Sequence, residues 1–332
     1  MKKYQVYGLG AALVDTEIQV DDNFLLQSGI QKGYMTLVDE ARQHELMGLL
    51  QEHLVGSHRA SGGSAANSII THSYFGGSAY YSCKVAGDDN GDFYINDLSQ
   101  AGVAIDAEKA RGEGITGKCL VMVTPDAERS MNTFLGISET LSEENLNVEA
   151  LKNSEWLYME GYLVTSETGR KAAITARNYA QAQGVKVALS LSDPGIVEFF
   201  KDGLQAMLGE KVDLVFCNEH EAKQWAGSDN IDDALAAMKT IANTFIVTQS
   251  DKGAFIYDGK TVEHIAAKKV DAIDANGAGD AFAGAFLYAI THGFSWLAAG
   301  KLAADTAAAV VSQYGPRLNK EDYQAILQQH QA

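Results

Sequence analysis

From Trp156 onward the chain alternates short apolar runs with longer segments whose apolar residues recur every three or four positions. Trp156–Met159, Val185–Ser190, Val212–Cys217 and Phe245–Gln249 read as strands. Ser166–Gln183, Ile196–Leu208, Glu219–Ala226 and Asp232–Ala242 read as helices between and after them. Short apolar runs bounded by turn residues suit strands buried on both faces. The rhythm predicts an α/β fold: a mainly parallel central sheet with helices on both faces.

The first half is less regular. Tyr4–Gly10 predicts a strand ending in glycines, and Val14–Val20 alternates like a strand. The pattern stays extended from Asp15 to about Leu37, broken by Gly29 and Gly33, before a helix predicted over Asp39–Leu54. A helix over Ala65–Tyr74, a strand over Tyr80–Ala86 and a helix over Asp92–Gly102 follow. Gly117–Val123 and Ser130–Leu135, joined through Pro125-Asp126-Ala127-Glu128-Arg129, carry a hairpin signature. The excursions at about 15–37 and 112–136 predict a small discontinuous β-sheet lid on one domain spanning 1–332. Near the end, Ala298–Ser312 reads as an alanine-rich helix stopped by Gly315-Pro316.

The strongest chemical signal is Asp274-Ala275-Asn276-Gly277-Ala278-Gly279-Asp280, running into an apolar helix. Gly277, Ala278 and Gly279 let backbone N–H groups approach an anion, and a helix start adds unpaired donors and partial positive charge. A carboxylate beside such a site needs a purpose, and Asp280 is placed to take a proton from a hydroxyl that attacks a phosphate. An N-capping aspartate on a core helix is the plainer alternative. Ser61-Gly62-Gly63-Ser64-Ala65-Ala66-Asn67 is a second small-residue cluster before a helix. Gly62 and Gly63 permit close approach to a sugar, and Asn67 can bond a hydroxyl pair; a tight turn with a capping serine fits equally well. Asp15, just past the first strand, lies where open parallel sheets place ligand contacts.

Asn218 and Glu221, three apart on a starting helix, share a face and offer oxygen to a hydrated magnesium ion. Thr248 and Gly253 belong to a strand end and polar turn that could hold nucleotide phosphates, or simply turn a hairpin. Arg129, beside the predicted hairpin, is a candidate lid clamp on a transferring phosphoryl group. No Gly-Lys-Ser/Thr of a P-loop occurs, and Gly8-Leu9-Gly10 lacks the third glycine and the helix of a dinucleotide fingerprint. Cys217 and His220 have no further ligands at zinc spacing.

With 26 basic and 43 acidic residues the net charge is −17, which argues against nucleic-acid and anionic-membrane partners. No run of 18 apolar residues or signal-peptide core is visible, and three scattered cysteines suit a reducing compartment, so a soluble cytoplasmic protein is expected.

Taken together, Gly62-Gly63-x-x-x-Asn67, Asn218-x-x-Glu221 and Asp274-x-x-Gly277-Ala278-Gly279-Asp280 resemble the signatures of the ribokinase (PfkB) family of carbohydrate kinases, in family order. Ala275 departs from the threonine common there, and Gln249 is unusual near the nucleotide turn. Ser61–Ser68, Met159-Glu160-Gly161-Tyr162-Leu163 and Leu189-Ser190-Leu191-Ser192-Asp193-Pro194 are most similar to the adenosine-kinase branch. The resemblance implies a ribokinase-like fold, ATP and Mg²⁺ as cofactors, and ATP contacts at Asn218, Thr248, Gly253 and Gly279. It also implies that Asp15 binds ribose hydroxyls, that Tyr162 stacks on a base, and that a monovalent cation such as K⁺ sits near Asp274 and Asn276. The expected partners are ATP and a nucleoside, adenosine first. A small sugar as acceptor, or a catalytically silent ligand-binding regulator, are the competing expectations; a homodimer through the lid is a further one.

Overall fold

The structure, a computed structural model, describes residues 2–51 and 58–331. Its main sheet has eight strands, in the spatial order Val262–Ile265, Ala254–Tyr257, Ala242–Thr248, Val212–Asn218, Lys186–Ser190, Ser154–Glu160, Tyr4–Leu9, Ala79–Ser82. All neighbours are parallel except at one edge, where Ala254–Tyr257 runs antiparallel to both strands beside it.

Side-chain alternation builds a core on each face. Val6, Tyr158, Ala188, Leu214, Phe216 and Ile246 point into one, with helices Ser64–Tyr74, Ala278–Thr291 and Trp296–Val311. Their strand neighbours Tyr7, Leu157, Val187, Leu189, Val215 and Phe245 point into the other, with Glu167–Ala182, Pro194–Leu208 and Ile231–Ile241. A period of two on doubly covered strands yields two dry layers. Gly8 and Gly10 are small for packing reasons: a Cβ on Gly8 would lie 2.5 Å from Ile69 Cγ1, and one on Gly10 2.6 Å from Glu160 Oε2.

The second sheet has five strands, in the order Met35–Leu37, Arg129–Phe134, Gly117–Val123, Leu13–Gln19, His58–Gly62. The sequence reading found the Gly117–Val123 hairpin and the strand through Asp15, but missed His58–Gly62. It also read Asp15 to Leu37 as extended throughout, whereas Asp22–Gln27 is a helix, started by the Asp21 side chain accepting from the Phe24 N–H at 2.8 Å. The predicted Asp39–Leu54 helix runs Glu40–Leu49, and the part of that expectation over 52–54 lies outside the described residues. The Tyr80–Ala86 strand is two, Ala79–Ser82 and Val85–Ala86. The helix Lys320–Gln331 and the edge strand Val262–Ile265, both weakly periodic, were not anticipated.

The two faces of the second sheet differ. Ile18, Leu120 and Met122 are buried against Leu25 and Leu46 of the two covering helices and Leu50 just past the second. Asp15 and Glu17, two and four residues after Leu13, face the other way, where Cys119, Val121 and Val123 also cluster. A turn carries this face onto the main body. Ala127, at φ 64°, offers its carbonyl to the Ala275 N–H at 3.2 Å, and Glu17 Oε1 accepts from Asn276 Nδ2 at 2.8 Å.

Candidate active site

Two helix starts meet at the cleft. Gly284 packs on the Ser68 carbonyl so tightly that a Cβ there would overlap it, and that close crossing brings the first turn of Ala278–Thr291 beside the first turn of Ser64–Tyr74. Asp280 therefore accepts from Ser64 Oγ at 2.5 Å and from Asn67 Nδ2 at 3.1 Å. Burial raises its carboxyl above the usual aspartate range, while these two bonds and the Arg129 guanidinium oppose the shift. Gly277 begins the helix in the left-handed region, at φ 74°, with no space for a Cβ against Pro316. Gly279, by contrast, faces open space. The N–H groups of Gly277, Gly279 and Asp280 have no acceptor among the described residues, and that of Ala278 reaches only the Ala275 carbonyl at 3.4 Å. These are the donors a helix start leaves for an anion.

Across the cleft, Asp15 is not at a strand end but mid-strand in the second sheet, and buried. Its carboxyl lies over Gly62, where any Cβ would collide with it. Burial and the neighbouring Glu17 push it well up, against Arg317 and Arg129. No hydrogen-bond donor reaches it among the described residues. Asn67 Oδ1 is likewise buried without a partner. Gly63 sits at φ 93°, and a Cβ there would lie 2.5 Å from the Ala11 carbonyl, so both the backbone angle and the close approach require glycine.

Asn218 and Glu221 form a capping box. Glu221 accepts from the Asn218 N–H at 3.0 Å and from Asn218 Nδ2 at 2.7 Å, and the Glu221 N–H donates to Asn218 Oδ1 at 2.8 Å. Burial pushes Glu221 up to about 8; Asp193 and Asp280 add to it, and Arg129 opposes. No group of three or more His, Cys, Asp or Glu suited to a metal occurs among the described residues. A buried acid with excess negative charge around it still suits a hydrated divalent ion that brings its own waters and phosphate oxygens. Arg129 supplies the local positive charge: among the described residues its guanidinium bonds no carboxylate, and its hydrogen bond is to Met131 Sδ at 3.5 Å.

The remaining expected residues have structural work to do. Gly253 sits at φ 108° where a Cβ would strike the Ile265 carbonyl, and Thr248 pairs with Asn218 across the strands. Asp274 is buried, accepting from the N–H groups of Asn276 at 2.8 Å and Gly315 at 3.1 Å, so it holds the turn together. Tyr162 is half-buried against the second core, its hydroxyl 3.4 Å from the Ser192 carbonyl. Several residues escaped the sequence reading. Ser64 stood inside a quoted motif and signalled only a cap. Glu160 is fully buried, accepts from the N–H groups of Ala11 at 2.7 Å and Ala65 at 2.8 Å, and ties both glycine turns together. Asp193 stood inside a quoted segment with no role of its own, and Arg317 belonged to no quoted segment.

A carboxylate beside unpaired N–H donors is suited to moving a phosphoryl group onto an alcohol, and the fold around it is that of ATP-dependent kinases. Residues 39–322 match the model of the pfkB family of carbohydrate kinases, and the chain belongs to that family. Among similar proteins, an adenosine kinase of Schizophyllum commune is 28% identical over 88% of this chain and 90% of the relative. The solved adenosine kinase of Sinorhizobium meliloti superposes with a TM-score of 0.93 at 32% identity, covering 98% of this chain and 99% of that one. A probable sugar kinase of Rhizobium etli CFN 42 also gives 0.93 at 32%, covering 99% of both chains. Among the described residues no helix is long and apolar enough to cross a membrane.

Proposed function

We propose that the chain is an ATP-dependent nucleoside kinase with adenosine as its preferred acceptor. The observation that carries this reading is a pair of acceptors on buried residues that have no donor among the described residues, the Asp15 carboxylate and Asn67 Oδ1, gathered around Asp280. Buried acceptors of this kind call for hydroxyl groups. The adenosine kinases among its relatives, and the ring of Tyr162 beside the cleft, favour a nucleoside over a bare sugar.

In this reading Asp15 and Asn67 hold ribose hydroxyls and Asp280 faces the primary hydroxyl. As the hydroxyl oxygen bonds to the γ-phosphorus, the bond to the β-phosphate oxygen breaks, ADP leaves, and the hydroxyl proton passes to Asp280. In a loose transition state that proton leaves late, so position counts for more than basicity. The N–H groups of Gly277–Asp280 and the Arg129 guanidinium face the charge on the transferring group. Asn218 and Glu221 would hold magnesium through water, and the bound ion would neutralise phosphate oxygens. Thr248, Gly253 and Gly279 belong with the nucleotide, and a monovalent cation beside Asp274 and Asn276 belongs to the same proposal. The second sheet acts as a lid. A homodimer through it would draw on the exposed Leu26, Tyr34, Leu37 and Leu49, since its apolar face is filled. The buried free thiols Cys83, Cys119 and Cys217 suit the cytoplasm.

The test is a panel of nucleosides and sugars with ATP and magnesium, read as ADP release. Turnover of adenosine above all sugars is expected. Turnover confined to a sugar would replace the acceptor, and binding without turnover would refute the kinase.

A further inference from the structure

Arg317 follows the Gly315-Pro316 turn and belongs to none of the motifs. Its side chain is 11% exposed. Nη1 donates to Ser61 Oγ at 3.1 Å and Nη2 to Asp97 Oδ2 at 3.0 Å, while the Ser61 hydroxyl donates to that same Asp97 oxygen. The guanidinium is thus fixed between the strand His58–Gly62 and the helix Asp89–Gln100. That strand carries Gly62, on which the Asp15 carboxyl rests, and pairs Ala60 with Asp15. Arg317 and Asp15 share no bond, yet Arg317 is the leading positive influence on Asp15. The other charged groups facing Asp15 are Glu17 on its own strand, Asp280 on the facing helix and Arg129 on the hairpin; the Cys119 thiol lies on the neighbouring strand. The preceding residue, Pro316, is the surface against which Gly277 packs. One short turn therefore touches both the anion turn and the acceptor strand.

We infer that Arg317 is a positioning residue for the acceptor: locked by Asp97 and Ser61, it fixes the strand that pairs with Asp15 and so holds that carboxylate in place. The inference rests on the reading of Asp15 as the hydroxyl-binding group. It implies that losing the charge harms acceptor binding far more than ATP binding, because the Arg317 side chain bonds Ser61 and Asp97 and none of the residues assigned to the nucleotide.

The experiment compares Arg317→Met, Arg317→Lys and Asp97→Asn by steady-state kinetics, varying acceptor and ATP separately across about pH 5.5–8.5, with melting curves alongside. Arg317→Met is expected to raise the acceptor KM by about tenfold or more and leave the ATP KM within about twofold. It should also move the acid limb of acceptor kcat/KM up by about one pH unit, since an opposite charge nearby favours the ionised carboxylate. Arg317→Lys should bring the limb back. An unmoved acceptor KM and limb would overturn the inference, as would equal rises in both KM values together with a fall in Tm. Should Arg317→Met fail to fold, Asp97→Asn decides: a severalfold rise in acceptor KM alone supports the inference, and none overturns it. If wild type turns over a sugar and no nucleoside, the adenosine reading falls, while the same measurement on the sugar still judges Arg317. If wild type turns over nothing, adenosine affinity by calorimetry replaces KM.

Discussion

Replacing Asp280 with asparagine separates chemistry from architecture unusually well at this site. The variant keeps the side-chain shape and removes the charge and the basicity. Its carbonyl oxygen can still accept from Ser64 Oγ, the 2.5 Å partner. Its amide nitrogen would meet the Asn67 Nδ2 donor, but Asn67 Oδ1 has no partner, so a flip of the Asn67 amide restores a donor–acceptor pair. Little hydrogen bonding is therefore lost. Burial raises the Asp280 carboxyl, so the ionised form is penalised in the folded state relative to the unfolded chain. That penalty exists above the folded pKa and vanishes below the unfolded one. At pH 8, then, Asp280→Asn should melt no lower than wild type. The rate should fall by about 10²–10⁴ in kcat, the loss of a general base, or about 3–5 kcal/mol of barrier. ADP release and a thermal melt on the same preparation measure both. A kcat within a fewfold of wild type would end the role of Asp280 as base, and a large fall in Tm with the loss of rate would make it a scaffold residue.

Glu221→Gln should raise the magnesium concentration for half-maximal rate, because an amide holds the hydrated ion less well; an unchanged magnesium titration would leave Asn218 and Glu221 as a capping box alone. Tyr162→Ala should weaken a nucleoside by roughly 1–3 kcal/mol in kcat/KM and a bare pentose much less, and equal losses would make Tyr162 a packing residue. Burial pushes Glu160 up to about 7, against the Ala11 and Ala65 N–H bonds that lower it. The folded state therefore binds more protons than the unfolded chain between about pH 4.5 and 7, and the contribution of Glu160 to stability falls as pH rises through that window. Stability of ligand-free protein from urea unfolding should fall over that window, and Glu160→Gln should lessen the fall by on the order of 1–3 kcal/mol; an equal slope in both proteins would place the titration elsewhere.

The main sheet was legible because its strands are apolar on both sides and the helices after Leu141 have a clean period. The second sheet was only half legible. Its strand His58–Gly62 has the sequence His-Arg-Ala-Ser-Gly, with no apolar alternation, and it forms because Leu13–Gln19 offers it a partner edge. The helix Asp22–Gln27 is a turn and a half long, too short for a period to show. At the site, glycine-rich turns before helices marked Gly62, Gly63 and Gly277–Asp280, since a backbone that must approach something closely leaves a trace in composition. Glu160 and Asp193 stood only inside segments similar to a known branch, with no role of their own, and Arg317 left no trace: each is a single polar residue whose meaning comes from a neighbour far away in the chain, as Arg317 takes its from Asp97. Asp15 lay in between; its residue type was suggestive, but only strand pairing sets it over Gly62.

The helices behind the second sheet have a consequence for motion. A flap one layer thick must keep its greasy side against something at every moment of a catalytic cycle, which means either never opening or borrowing another molecule as backing. Here the backing is stitched into the same stretch of chain, with Leu25, Leu46 and Leu50 sealed over Ile18, Leu120 and Met122. In the proposed lid role, such a flap would travel with its own interior intact. Swinging it away would break the ties at Ala127, Glu17 and Ser61 and lift Val14 from the main core, while the core beneath its own helices would stay closed.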